Sequence, residues 1–86
     1  MLEGSGGVLL VDDDRVYLHA MERLLDGAGI GPVTAHDQGL GAIEKVEILR
    51  PDVVCLDLDL GGFDGRSLIS KLRSGWPDMG IVVVSG

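Results

Sequence analysis

Three short runs in the chain are continuously apolar, and the stretches between them alternate between apolar and polar positions. Val8-Leu9-Leu10-Val11, Val53-Val54-Cys55-Leu56 and Ile81-Val82-Val83-Val84 are rich in branched side chains and bounded by polar or turn residues. Runs of this length and composition predict strands buried on both faces, the kind found in parallel sheets. Residues 32–35 predict a further strand, with Pro32 tolerable only at a strand start or an edge. Tyr17, Leu18, Met21, Leu24, Leu25 and Ala28 keep helical spacing, which predicts a helix over Arg15–Gly27 with one stripe toward the sheet. Asp14 is placed to cap it, and Gly27 and Gly29 stop it. Residues 36–39 read as a loop. A second helix is predicted over residues 40–49, with Ile43, Val46 and Leu49 inward and Arg50-Pro51 as its end. A third is predicted over residues 66–74, carrying Leu68, Ile69 and Leu72, before a turn at residues 75–78. The order β-α-β-α-β-α-β predicts a parallel sheet with right-handed crossovers.

Composition narrows the function classes. At 86 residues the chain is one small domain, near the size at which a single core becomes marginal. Its aromatics are Tyr17, Phe63 and Trp76, so the core must be built from Val, Leu, Ile and Ala. A net charge of −7 without any block of Lys or Arg argues against a nucleic-acid surface. No apolar run approaches a membrane span, and the first seven residues lack the regions of a signal peptide, so a cytoplasmic location is expected. The lone Cys55 lies inside an apolar run, which excludes disulfide and zinc readings and makes it a small core residue.

The chemistry gathers where the strands end. Asp12 and Asp13 follow the first strand, Asp57 closes the third and Ser85 follows the last. In a parallel sheet these ends share one edge. With the spatial order 2-1-3-4, the crevice between the first and third strands is the topological switch point, where ligands bind. Carboxylates brought together there repel one another and raise one another's pKa unless a cation sits among them. An all-oxygen ligand set with room for water suits Mg²⁺ better than zinc.

Those residues carry a resemblance. The stretches Val8-Leu9-Leu10-Val11-Asp12-Asp13-Asp14, Pro51-Asp52-Val53-Val54-Cys55-Leu56-Asp57, Gly62-Phe63-Asp64-Gly65 and Ile81-Val82-Val83-Val84-Ser85-Gly86 agree in order and spacing with one family. The chain resembles the receiver domain of two-component response regulators, an α/β flavodoxin-like open parallel sheet. The resemblance implies that Asp57 is the phosphoacceptor, that Asp13 is a direct Mg²⁺ ligand, and that Asp12 holds the ion largely through water. It also implies that the backbone carbonyl of Asp59 completes the coordination, that Ser85 donates its hydroxyl to the phosphoryl group, and that Gly86 keeps the approach open. The phosphoryl donor would be a sensor histidine kinase or a histidine phosphotransfer protein. The domain would be a self-phosphorylating phosphoacceptor rather than a turnover enzyme, with no direct nucleic-acid or membrane contact.

Two departures from the family stand out. Gly61 replaces the usual Pro, which predicts a more mobile loop after Asp57. The sequence given stops after the fourth predicted strand, so residues 1–86 read as a receiver domain incomplete at its C-terminus, without the fourth helix, fifth strand and fifth helix. The phosphoryl-contacting Lys of the family is then absent, and Lys45 and Lys71 do not replace it because both fall on helices away from the carboxyl edge. An uncovered fourth strand, residues 81–84, would be an open apolar edge through which the chain self-associates.

Other polar residues have plainer readings. His19 reads as a solvated helix residue, His36 as a loop residue, Asp14 as a cap, and Asp64 as the start of the third helix. Two rival functions remain distinct. Asp57-Leu58-Asp59 resembles the nucleophile and acid/base pair of haloacid-dehalogenase-like phosphatases, although those place it on the first strand and need later Lys and acidic motifs. A receiver-like interaction module that has lost its switch is the other.

Overall fold

The computed structural model describes residues 6–60 and 63–84. Along the chain run β1 (Val8–Val11), α1 (Arg15–Gly27), β2 (Val33–His36), α2 (Ala42–Leu49) and β3 (Val53–Asp57). The short strands β4 (Asp59–Leu60) and β5 (Phe63–Asp64), then α3 (Gly65–Gly75) and β6 (Gly80–Val84), complete it. The main sheet has the order β2-β1-β3-β6 and every pairing in it is parallel. This is the α/β order expected from the sequence, with the fourth predicted strand appearing as β6.

The register sets the two faces. Val11 pairs with His36 and Leu56, Leu10 with Cys55, and Cys55 in turn with Val82. Successive strand residues point to opposite faces. Leu9, Val11, Val54 and Leu56 therefore share one face, and α2 and α3 cover it with Ala42, Val46, Leu68 and Leu72, all of them buried. Ile43, Leu49, Ile69 and Trp76 are partly buried against this core. The order of right-handed crossovers puts α1 on the other face, where Leu10 and Leu18 are buried outside that cluster.

Five expectations need correction. The α1 stripe is narrower than its periodicity: Leu18 is buried and Tyr17, Met21 and Leu25 are half-buried, whereas Ala28 is exposed and Leu24 is 66% exposed. One helix on this face can reach only the strands beneath it. For the same reason β3 is buried on one face only, while β6, at the edge of the sheet, is fully buried on neither. Cys55 is half-buried, not a closed core residue, and Val82 and Val83 are 49% and 44% exposed. Lastly, α2 begins at Ala42, after Gly41 in the left-handed region at φ 84°, and His36 ends β2 where a loop was expected.

The helix starts follow from local chemistry. Asp14 accepts from the backbone N–H groups of Val16 and Tyr17 at 3.0 and 3.1 Å, satisfying two donors that the first turn of α1 leaves open. Asp64 does the same for Arg66 at 3.1 Å, as expected of a residue opening the third helix. Gly65 is required here: a Cβ on it would lie 2.8 Å from the Leu58 carbonyl oxygen and 2.9 Å from the Leu58 Cα. Its bare backbone lets α3 abut the segment that leaves β3. The pairing of β4 with β5 is antiparallel and two residues long, too short for any alternation to announce it. None of the described helices is long and apolar enough to cross a membrane.

Candidate functional site

Because β1 and β3 are neighbours in parallel register, their carboxyl ends arrive side by side. Asp12 and Asp13 leave β1 just as Asp57 closes β3. One carboxylate oxygen from each of Asp12, Asp13 and Asp57 lies within 4.8 Å of the others. Asp12 is buried, Asp57 half-buried and Asp13 exposed, so the cluster is anchored within the fold and open on one side.

Backbone amides hold these carboxylates in place. Asp12 Oδ1 accepts from Asp14 N at 2.9 Å, and Asp57 Oδ1 accepts from Asp59 N at 3.1 Å. Asp12 N donates to the His36 carbonyl, tying the edge of β1 to β2, and Leu58 N donates to the Val84 carbonyl at 3.2 Å, tying the end of β3 to β6. The Asp57 carboxylate thus has one oxygen engaged in holding its own loop.

The electrostatics show what is lacking. Burial pushes the Asp12 carboxyl above its ordinary range; the Asp14 N–H pulls it back in part, and the charges of Asp57, Asp13 and Asp14 push it up again. Among the described residues Arg15 pairs with Asp37 at 2.7 Å, an exposed link between α1 and the segment after β2 that leaves the three carboxylates without a cationic side chain. A hard divalent cation bound by oxygen atoms answers that imbalance, and three carboxylates with one open side fit such an ion.

The remaining candidates fall as follows. Asp59 lies in β4 beside Asp57, with its carboxylate outside the gathered group. Ser85 and Gly86, like Gly61, lie outside the described residues. Lys45 sits on α2, and Lys71 on α3 lines a groove of about 420 Å³ with Leu40, Ile43, Glu44 and Asp64, so neither serves the acidic cluster. His19 is exposed, and His36 Nε2 donates to the Leu40 carbonyl at 2.7 Å, which is a structural bond.

One residue that sequence reasoning missed stands beside the cluster. Tyr17 reads as part of an apolar stripe, yet burial and then the charges of Asp12, Cys55 and Asp57 all push its phenol above the ordinary range. The available signal was its position in the first helical turn after three consecutive acids.

Comparison with known proteins covers the same ground. A family model described as the response regulator receiver domain matches residues 8–86. The response regulator MprA of Mycobacterium ulcerans is 36% identical over 78 residues, 91% of this chain and 33% of that protein. A protein-glutamate methylesterase/protein-glutamine glutaminase of Myxococcus xanthus is 39% identical over 79 residues, 91% of this chain and 23% of that protein. Among solved structures, a response regulator protein of Burkholderia pseudomallei superposes with a TM-score of 0.83 at 29% identity, covering 92% of this chain and 46% of that one. It carries a phosphorylated aspartic acid and a calcium ion. The chain therefore spans a third or less of the length of these curated relatives.

Proposed function

Since the chain belongs to the response regulator receiver domain family of two-component systems, we propose that Asp57 is its phosphoacceptor and that Asp12, Asp13 and Asp57, with the backbone carbonyl of Asp59, hold Mg²⁺. The observation that carries this reading is the convergence of the three carboxylates within 4.8 Å at the switch point of the sheet. Asp57 Oδ1 is occupied by the Asp59 amide, which leaves Oδ2 as the attacking atom. Its lone pair forms the new O–P bond while the P–N bond of a phosphohistidine breaks, and the imidazole nitrogen keeps that electron pair. Bound Mg²⁺ supplies charge neutralisation for the phosphoryl oxygens. What the chain itself does is position: the Asp12 and Asp57 carboxylates are fixed by neighbouring amides before any ligand arrives. Ser85 and Gly86 are assigned the phosphoryl-facing roles that the family motif gives them.

The donor is a sensor histidine kinase or a histidine phosphotransfer protein, and the setting is cytoplasmic. The phosphatase alternative is not favoured, because the Asp59 carboxylate stands apart from the cluster and two acids from a preceding strand complete it. The complete acidic set likewise speaks against a module that has lost its switch. Intact-mass measurement with and without a small acyl-phosphate donor tests the assignment. The parent chain should gain one labile phosphate in the presence of Mg²⁺, and Asp57→Asn should gain none; equal gain in both would refute it.

A further inference from the structure

The two flanks of α1 face different parts of the sheet. Arg15, His19 and Glu22 line a groove with Ala35, His36 and Asp37 on the β2 side. With 3.6 residues per turn, Tyr17 and Met21 fall on the opposite flank, over β3. The β3 side chains on that face are Val53, Cys55 and Asp57, because Val54 and Leu56 belong to the core on the other. Leu10 stands beside Cys55 in register, and Asp12 follows two residues later at the edge. Tyr17 is thus held above the end of β3, half-buried, in the first turn of a helix whose start is pinned by Asp14.

Its hydroxyl is not sealed inside the fold. The hydrogen bond that Tyr17 makes runs from its backbone N–H to Asp14 Oδ1, and among the described residues the phenol oxygen finds no partner. An apolar ring would fill the same space equally well. A phenol is protonated at neutral pH, so it is a neutral donor beside a group of acceptors.

We infer that Tyr17 is a phosphoryl-binding residue, its hydroxyl donating a hydrogen bond to an oxygen of the phosphoryl group carried by Asp57 and closing the pocket on the α1 side. The inference rests on Asp57 being the phosphoacceptor. A phosphoryl group brings several strongly accepting oxygens to a site whose other described side chains are carboxylates, which cannot donate when ionised. A neutral phenol supplies a donor there without adding a charge that would compete with the metal.

The test is calorimetric titration of the parent chain, Tyr17→Phe and Tyr17→Met with beryllium fluoride in the presence of Mg²⁺, and with Mg²⁺ alone. Beryllium fluoride is the probe because it mimics a phosphoryl group on a carboxylate without turning over. Loss of one hydrogen bond should weaken its binding by about three- to tenfold in both variants, while their Mg²⁺ affinity stays that of the parent. Equal beryllium fluoride affinity in parent and variants would overturn the inference. So would a parallel loss of Mg²⁺ affinity, since Tyr17 would then be supporting the metal site. If the parent binds no beryllium fluoride, or Asp57→Asn binds it as tightly, the phosphoacceptor reading fails first and takes this inference with it.

Discussion

Asp12 is buried with its charge and has two further carboxylates for neighbours, an arrangement that costs stability whenever no cation is bound. Its folded-state pKa lies above the ordinary value of 3.8. Between that value and the raised one the folded chain binds more protons than the unfolded chain, so stability falls as pH rises through the window. Removing the charge should reverse the penalty. Asp12→Asn is expected to raise the unfolding midpoint at pH 7 in metal-free buffer, with the advantage shrinking as the pH is lowered toward 3.8. Urea titrations of both proteins at several pH values check this, and an advantage that is constant with pH would contradict it. Asp12, Asp13 and Asp57 were legible in the sequence because strand ends in a parallel sheet must share an edge. Tyr17 was not, because periodicity assigns a helical residue to a face and cannot say which neighbour lies under each flank.

At the scale of elements, β6 is where local pattern and tertiary setting part company. Among the described residues it is an edge of the main sheet, it has no charged residue, and two of its valines are half exposed. Such an edge offers unpaired backbone groups and apolar side chains to another chain. The chain is therefore expected to self-associate through β6 at rising concentration, and Val82→Lys to return it to monomer. Sedimentation velocity over a concentration series decides between this and a monomer at all concentrations. β1, β3, β6 and α1 were readable because continuous apolar runs and a 13-residue helix carry strong signals. The pair β4 and β5 was not, since two residues hold no period. The start of α2 shifted from residue 40 to Ala42 because Gly41 takes a left-handed turn that no apolar spacing records.

On the scale of the molecule, the fold divides into a well-covered layer under α2 and α3 and a thinly covered one under α1. The acidic edge lies at one end of the sheet, whereas Trp76 caps the C-terminal end of α3 and bonds through its carbonyl to Met79, just before β6 begins. Tryptophan emission would thus report on the far end of the sheet, and heat or mass must be measured to follow the site.

The clearance at Gly65 links these layers. Leu58, against which that glycine rests, is the residue between Asp57 and Asp59, so the first turn of α3 acts as a stop for the strand that presents the acceptor. A single methyl group there has nowhere to go except into the Leu58 backbone. Gly65→Ala should consequently behave as a misalignment of the metal centre rather than as a helix substitution. By helical propensity alone it would stabilise α3, by less than the roughly 1 kcal/mol of a helix interior because Gly65 is the first helical residue; by displacement of Leu58 it should weaken Mg²⁺ binding in calorimetry, although no ligand atom has been altered. If Mg²⁺ affinity is unchanged and the protein simply becomes more stable, the abutment is slack. If affinity falls, the α3 layer and the acidic edge form a lever with Leu58 as its fulcrum, and whatever pushes on one end is felt at the other.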